Sequence, residues 1–585
     1  MIAQSQQQVI QNLPSHLQPF VATQNYQDYT PRDHAIWRFL IQQLIYSLKE
    51  TAHETYFEGL AKTGIDSEKI PRIEDINLCL NQLGWQAVAV DGFLPPAVFM
   101  EFQAIKVLAI AVNIRSFEHM LYTPAPDIIH ESAGHAPFLI DIDYAEFLQR
   151  FGELGMRAIA NQHDVNHYEA VRRLSIVKEN PDSSESEIKT AEQAIETLQQ
   201  VKVNPSEANL LARLHWWTVE YGLVGEVNNY RIYGAGLLSS LSESQRCLND
   251  QSVTKKALTI NSINTAYDIT AQQPQLFVTQ SCRHLSHVLE EYGRHMCCNT
   301  GGAMSLMKAL EAGSIVTFKM SSGLQAAGKV SRVLYDAVGN AIYVNTEGPT
   351  QLALDNKQLD GHSINNHAHG FGTPIGRLIG LERCLSKYSV DELKRHGIEL
   401  NKITSLRFLS GITVHGRLSN ILRRKQANIL LSFEECSVCN VDGDLLFDPS
   451  WGTFDMAVGD SVVSVSGGSA DQDTYPIYET PSLTAQVQSK YDDTQLEKFA
   501  EYQALVDCRV SSSNPMPIVE KLLASKSTDW LALYEGLELA VKHQLDDSIT
   551  SALTTRLSLE TGEKATLIKQ GLTRLASNSS LVIDY

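Results

Sequence analysis

The spacing of apolar residues changes period twice along the chain, and no single-layer fold accommodates all three regimes. From about residue 30 to 310, apolar residues recur at helical intervals between short connections. Examples are HAIWRFLIQQLIYSLKETAHETY (34–56), QSCRHLSHVLEEYGRHM (280–296) and DINLCLNQLG (75–84), whose closing glycine suits a helix end. From about 313, short β-type runs with turn residues take over: SIVTFKMSSG, GKVSRVLYDAVGNAIYVNT, LLFDPSWGTF and DSVVSVSGGS. After the polar stretch QDTYPIYETPSL (472–483), helical spacing returns in PIVEKLLA and DWLALYEGLELAVKHQL. These shifts predict a multidomain chain: a mainly α domain over 1–312, a β-rich region over 313–480 and a helical region over 481–585.

Two β-type segments resemble each other. Ser322-Gly323-LQAA-Gly328-Lys329-Val330-Ser331 lines up with Ser410-Gly411-ITVH-Gly416-Arg417-Leu418-Ser419, each between two further β-type runs. The pairing predicts a duplicated small barrel, because a lone hairpin is marginal and needs partners to bury its face. Chance similarity of two glycine-punctuated hairpins is the alternative.

Bulk properties bound the function. The 585 residues suffice for several cores, and the net charge of -19 argues against a nucleic-acid partner and against anionic membranes. No window approaches 18 uncharged apolar residues, and MIAQSQQQVIQNLPSHLQ has neither a basic n-region nor an apolar core. The nine cysteines are odd in number and scattered, which reads as reduced thiols in a cytoplasm. Cys436-x-x-Cys439 is half of a zinc pattern, and no second CxxC or CxxH follows it.

Chemistry-bearing residues concentrate between 120 and 245. In PDIIHESAGHAP (126–137), His130 and His135 stand five apart, whereas a zinc protease of the HExxH type needs four. On an ideal helix that spacing leaves them about 140° apart, so a shared metal requires a helix end or a distortion. Farther on, WWTVEYG (216–222) sets Glu220 alone among apolar and aromatic neighbours, a costly burial unless it is paired or binds metal. Two histidines and one carboxylate on one face of a metal are the ligand set of non-haem Fe(II) oxygenases. Spacing alone does not choose between this set and structural roles.

PDIIHESAGHAPF, WWTVEYGL and YGAGLLSS together resemble the catalytic domain of the pterin-dependent phenylalanine, tyrosine and tryptophan hydroxylases. The resemblance runs from near Tyr29 to near Gly313, with the three motifs in the family's order. It implies an α-rich hydroxylase fold and Fe(II) ligands at His130, His135 and Glu220. A pterin site is implied at Gly92, Leu94, Phe99, Glu131, Ala212 and His215, with Phe99 stacking on the pterin. An amino acid pocket is implied at Arg115, Thr123, Pro124, Pro126, Trp216, Gly236 and Ser239. There Arg115 clamps the substrate carboxylate, which suits a planar guanidinium fork, and Trp216 offers a flat wall. Glu131, Ser239 and Asp127 are the implied catalytic residues besides the ligands, with Asp127 and Ser239 orienting His130. The implied reaction uses O2 and a tetrahydropterin, tetrahydrobiopterin or tetrahydromonapterin, to hydroxylate the ring of an aromatic amino acid; L-phenylalanine to tyrosine is the favoured case.

The sequence departs from the family pattern in four places. The stretch between His135 and Glu220 is long, the excess falling at about 160–208, which reads as a surface insertion. A position that is tyrosine in animal members is His215 here, and a nearby histidine position is Ala109. Ile269 stands where tyrosine hydroxylases tend to carry aspartate. The family's tetramerisation helix is replaced by the β-rich and helical extension, and no counterpart of the animal regulatory domain precedes the motifs. Alternatives are another aromatic substrate or ring position (tryptophan, meta-hydroxylation, a tethered substrate), a metal-dependent hydrolase, or a non-catalytic binder on a hydroxylase-like fold. In the extension, His362, His367 and His369 sit among Gly and Asn without a carboxylate or cysteine at ligand spacing, and read as a solvated loop. The extension is expected to serve subunit association or access control, with its leucine-rich helix as a homo-oligomer interface.

Overall fold

The helix Pro31–Leu48 organises the N-terminal half. The Thr30 hydroxyl accepts from the Asp33 amide while the Asp33 carboxylate accepts from the Thr30 amide, and Pro31 fills a first-turn position that needs no donor. Its residues are buried on nearly every side, including Ile36, Trp37, Phe39, Leu40 and Leu44. Helices from the far end of the chain cause this: Asp493–Ser511, Trp530–Lys542 and Glu563–Ala576 all pack on it. Phe39 meets Trp530 and Tyr534 edge-on at 5.3 and 5.0 Å. Arg38 Nη1 lies 3.0 Å from Glu535 Oε1, with both side chains almost fully buried. The C-terminal helices therefore share one core with the N-terminal half. Trp530, Leu531, Leu533 and Leu537, expected at a subunit interface, are covered within the chain itself.

The structure, a computed structural model, describes residues 5–121, 126–179, 183–269, 271–478, 491–525 and 527–577. Among these, the N-terminal half carries two small sheets. Strands β1 (Gln86–Val90) and β2 (Val107–Ala111) run parallel, joined by the helix Pro96–Ala104. Strands β3 (Leu223–Glu226), β4 (Asn229–Ile232), β5 (Thr254–Ala257) and β6 (Gln275–Thr279) form a sheet in the order β4-β3-β6-β5. The 160–208 stretch folds into two helices, Gln162–Glu179 and Glu185–Gln200, that pack together with Lys178 and Glu192 3.0 Å apart.

The following region is two antiparallel sheets. One contains β7 (Ile315–Met320), β8 (Leu324–Tyr335), β9 (Ala341–Leu354) and β10 (Lys357–Gln358), with β11 (Gly372–Pro374) also on β9. The other contains β12 (Ile403–Arg407), β13 (Thr413–Arg424), β14 (Ala427–Cys439) and β15 (Leu445–Phe447), with β16 (Phe454–Ala457) on β14. The last strand, β17 (Val462–Gly467), returns to pair with β7 in the first sheet. The two sheets share their apolar packing: Ile429, Leu430 and Ala457 of the second sheet join the cluster under the first, and Tyr343 of the first joins the cluster under the second. No helix among the described residues is long and apolar enough to cross a membrane.

Candidate metal and cofactor site

The five-residue histidine spacing is resolved by backbone geometry. Residues Ile129–His135 form a π-helical turn, wider than an α-helical one, which brings residues five apart onto one side. A second π turn, Trp216–Glu220, follows the helix Glu207–His215 and delivers Glu220 to the same point. Nε2 of His130 and of His135 are 3.2 Å apart; Glu220 reaches the first at 3.3 Å through Oε2 and the second at 3.3 Å through Oε1. Three donors thus converge from two distant segments. Gly134 makes room for this: a Cβ there would sit 2.9 Å from the Ala235 carbonyl oxygen. Gly236 has a similar role, since its Cβ would lie 3.0 Å from the Glu220 carbonyl oxygen.

The ring of His130 is oriented through its other nitrogen, Nδ1, 2.9 Å from Oγ of Ser239. Asp127 meets His130 at its backbone, not at its ring. Its Oδ1 accepts from the backbone amide of His130 at 3.1 Å, and its carboxylate takes Nε and Nη2 of Arg115 at 2.7 and 2.9 Å. Arg115 and Asp127 are both buried, and the guanidinium holds the Asp127 carboxyl below its usual range against the opposing effect of burial. Nη1 of Arg115 makes no hydrogen bond among the described residues.

On the other flank, Phe99 meets the ring of His215 edge-on at 5.9 Å, and His215 Nδ1 lies 3.9 Å from Glu220 Oε1. Leu94 and Phe99 border one apolar cluster, Gly92 turns the preceding loop at φ +71°, and Ala212 lies one helical turn before His215. Ala109 is buried on β2, and Ile269 is partly exposed. Burial drives the His215 imidazole down to about 4, overcoming the pull of Glu220, so the ring is neutral. Burial likewise pushes Glu131 up to about 8; His135 opposes this while Glu220 and Asp127 add to it. Burial favours a neutral Glu220 as well, yet His135 and His130 outweigh it and hold this carboxyl well below its usual range. Oε2 of Glu131, Nε2 of His215 and Nε1 of Trp216 are buried without a hydrogen-bond partner among the described residues.

Trp216 is the centre of an aromatic stack that sequence reasoning saw only in part. Tyr221 lies against it at 4.7 Å and Tyr267 at 4.4 Å, nearly parallel. Tyr221 was legible as the next motif residue; Tyr267, from a separate segment, was not. Tyr168, in the Gln162–Glu179 helix, donates to the carbonyl oxygen of Phe93 at 3.1 Å and so ties the 160–208 stretch to the Gly92 loop. Pro126 is exposed at the mouth of the first π turn, while Thr123 and Pro124 lie outside the described residues.

The profile of the biopterin-dependent aromatic amino acid hydroxylase family matches residues 20–174 and 184–299. The phenylalanine-4-hydroxylase of Chromobacterium violaceum is 30% identical over 268 residues, covering 46% of this chain and 75% of that protein. The chain belongs to this family. It is thus a biopterin-dependent enzyme, and the family match is interrupted at 175–183, within the 160–208 stretch. The phenylalanine-4-hydroxylase of Pseudomonas aeruginosa is 28% identical over 264 residues, 45% of this hydroxylase and 84% of that enzyme. A solved structure of the Chromobacterium enzyme with iron(III) and 7,8-dihydrobiopterin is 26% identical, covering 50% of this chain and 92% of that one, at a TM-score of 0.38.

Proposed function

We propose that this hydroxylase converts L-phenylalanine to tyrosine, with Fe(II) held by His130, His135 and Glu220 and a tetrahydropterin lying against Phe99. The observation that carries the reading is the convergence of two imidazole nitrogens and one carboxylate within 3.3 Å of one another. The donor set fits a non-haem iron, since imidazole and carboxylate suit that ion and three protein ligands leave positions open. The pterin side fits too: Glu131 Oε2 and His215 Nε2 are buried polar atoms in want of partners, next to an aromatic face. When bound, iron and pterin supply the activation of O2 and its electrons.

The chain's own residues then do the positioning. Ser239 fixes the rotation of the His130 ring, and neutral His215 separates the Phe99 ring from the metal ligands. Asp127 holds Arg115 by its Nε and Nη2, which leaves Nη1 to meet the carboxylate of the amino acid. The stack of Tyr267, Trp216 and Tyr221 gives the substrate ring a rigid wall, with Pro126 and Gly236 beside it. The phenylalanine-4-hydroxylase relatives support phenylalanine over the other aromatic amino acids. Pterin-dependent O2 uptake, with product analysis on phenylalanine, tyrosine and tryptophan, tests the reading. Tyrosine as the product from phenylalanine supports it; preference for another substrate or another ring position overturns it.

We propose further that the chain changes region at about 312 and 480, the tail helices returning to the N-terminal core, and that the β-rich region is a duplication. β7-β8-β9 and β12-β13-β14 are meanders in the same order, and both middle strands have 12 residues. The ladders slip at Ala327/Lys329 and Val330/Arg332 in one and at His415/Arg417 and Leu418/Asn420 in the other, beside the aligned Gly328 and Gly416 and the aligned Ser331 and Ser419. With the tail helices covered internally, a homo-oligomer would use another surface. Nine free cysteines suit the reducing cytoplasm, which cell fractionation tests.

A further inference from the structure

The β-rich region gathers a second set of potential ligands. His362 and His367 lie in the connection between β10 and β11, and Asp455 lies on β16 in the other sheet. Nδ1 of His362 is 3.1 Å from Nε2 of His367, and Oδ2 of Asp455 is 3.8 and 4.0 Å from these same two nitrogens. A triangle with those sides has its centre about 2.1 Å from each corner, the bond length of a first-row divalent ion to imidazole and carboxylate. His369, the third histidine of the motif, is exposed and outside the set.

The surroundings hold these atoms in place. Ser432, opposite Asp455 in the β14–β16 ladder, donates its hydroxyl to Asp455 Oδ1 at 2.6 Å, which leaves Oδ2 turned to the imidazoles. The backbone carbonyls of His362 and His367 accept from the amides of Leu352 and Thr350 on β9, at 3.0 and 3.1 Å. Asn366 caps the intervening turn by accepting from Ser363. Phe371 packs its ring against His367 at 5.7 Å. The three side chains are only 11 to 14% exposed. A hydrogen bond between the two imidazoles explains their 3.1 Å separation but not why Asp455 Oδ2 faces both at distances too long for hydrogen bonding.

We propose that His362, His367 and Asp455 bind a divalent first-row transition ion that pins the β10–β11 connection to β16 and so clamps the two sheets together. Imidazole donors favour zinc or iron over magnesium or calcium, and three protein ligands with residual exposure leave room for water as a fourth. The loop reading drawn from sequence missed Asp455 because the carboxylate arrives from the second sheet.

The test uses the full chain, stripped with a chelator and dialysed against Zn(II), with metal per chain measured by elemental analysis. Wild type should hold two ions. His130→Ala/His135→Ala should keep one, and His362→Ala/His367→Ala should keep the other. Asp455→Asn guards against misfolding, because its side chain has the same shape and can still accept from Ser432. That variant should melt like wild type without metal, bind the second ion at least tenfold more weakly, and lose the zinc-dependent rise in melting temperature. A wild-type chain holding a single ion that His130→Ala/His135→Ala abolishes overturns the proposal, as does full zinc binding by Asp455→Asn.

Discussion

Oγ of Ser239 stands 2.9 Å from Nδ1 of His130 and donates its own proton to the Ala235 carbonyl oxygen at 2.7 Å. With that proton committed, Ser239 accepts from His130, which fixes the tautomer with the proton on Nδ1 and the lone pair on Nε2, facing His135 and Glu220. Ser239→Ala should weaken iron binding by about 10- to 100-fold, the usual effect of losing such a partner. Iron titration of the stripped protein reads this directly, and unchanged affinity would remove Ser239 from the site.

Arg115 holds Asp127, and substitution can separate that role from the substrate clamp proposed for it. Arg115→Ala leaves buried Asp127 without its partner and should cost about 3–5 kcal/mol of stability. Arg115→Lys keeps the charge but loses the planar fork, so KM for phenylalanine should rise with iron content unchanged. Denaturant melts and steady-state kinetics distinguish the two. An unchanged KM in Arg115→Lys would exclude it as the carboxylate clamp.

Glu243 gives the chain a pH-dependent weakness. Burial raises its pKa from the usual 4.5 to about 7, with Arg246 pulling the other way. Below about pH 4.5 the group is protonated folded or unfolded, and its contribution is fully present. As pH rises through about 7 the buried group must ionise, and that stability is lost. Glu243→Gln should therefore match wild type near pH 4.5 and exceed it at pH 8, by up to about 3 kcal/mol. Melts across this range showing equal stability at pH 8 would refute the assignment.

Trp530 seals the tail against the N-terminal half through Phe39 and, stacked at 5.6 Å, through Phe117. Trp530→Ala should cost about 3–5 kcal/mol, as large aromatic truncations in cores do. Limited proteolysis should then release the tail from the N-terminal half. Resistance equal to wild type would mean that the tail is held elsewhere.

The sequence by itself determined the order of helical and β-type regions and the family, and it singled out His130, His135 and Glu220 as candidate metal ligands. These properties are local: a periodicity, a motif, a lone carboxylate in an apolar run are visible among neighbours. It also showed that His130 and His135 cannot share a metal on an ideal helix, though not how the backbone would answer. Tertiary structure decided that. A π turn is a small backbone adjustment, accommodated here by a glycine at 134 where a Cβ would meet Ala235, which no periodicity records. It also decided that Asp127 grips Arg115 and the His130 amide, that Asp455 joins His362 and His367, and that Trp530 packs on Phe39. Each pairs segments far apart in the chain. Which apolar faces and which buried charges meet depends on how whole elements pack, and a single sequence specifies the faces without naming their partners.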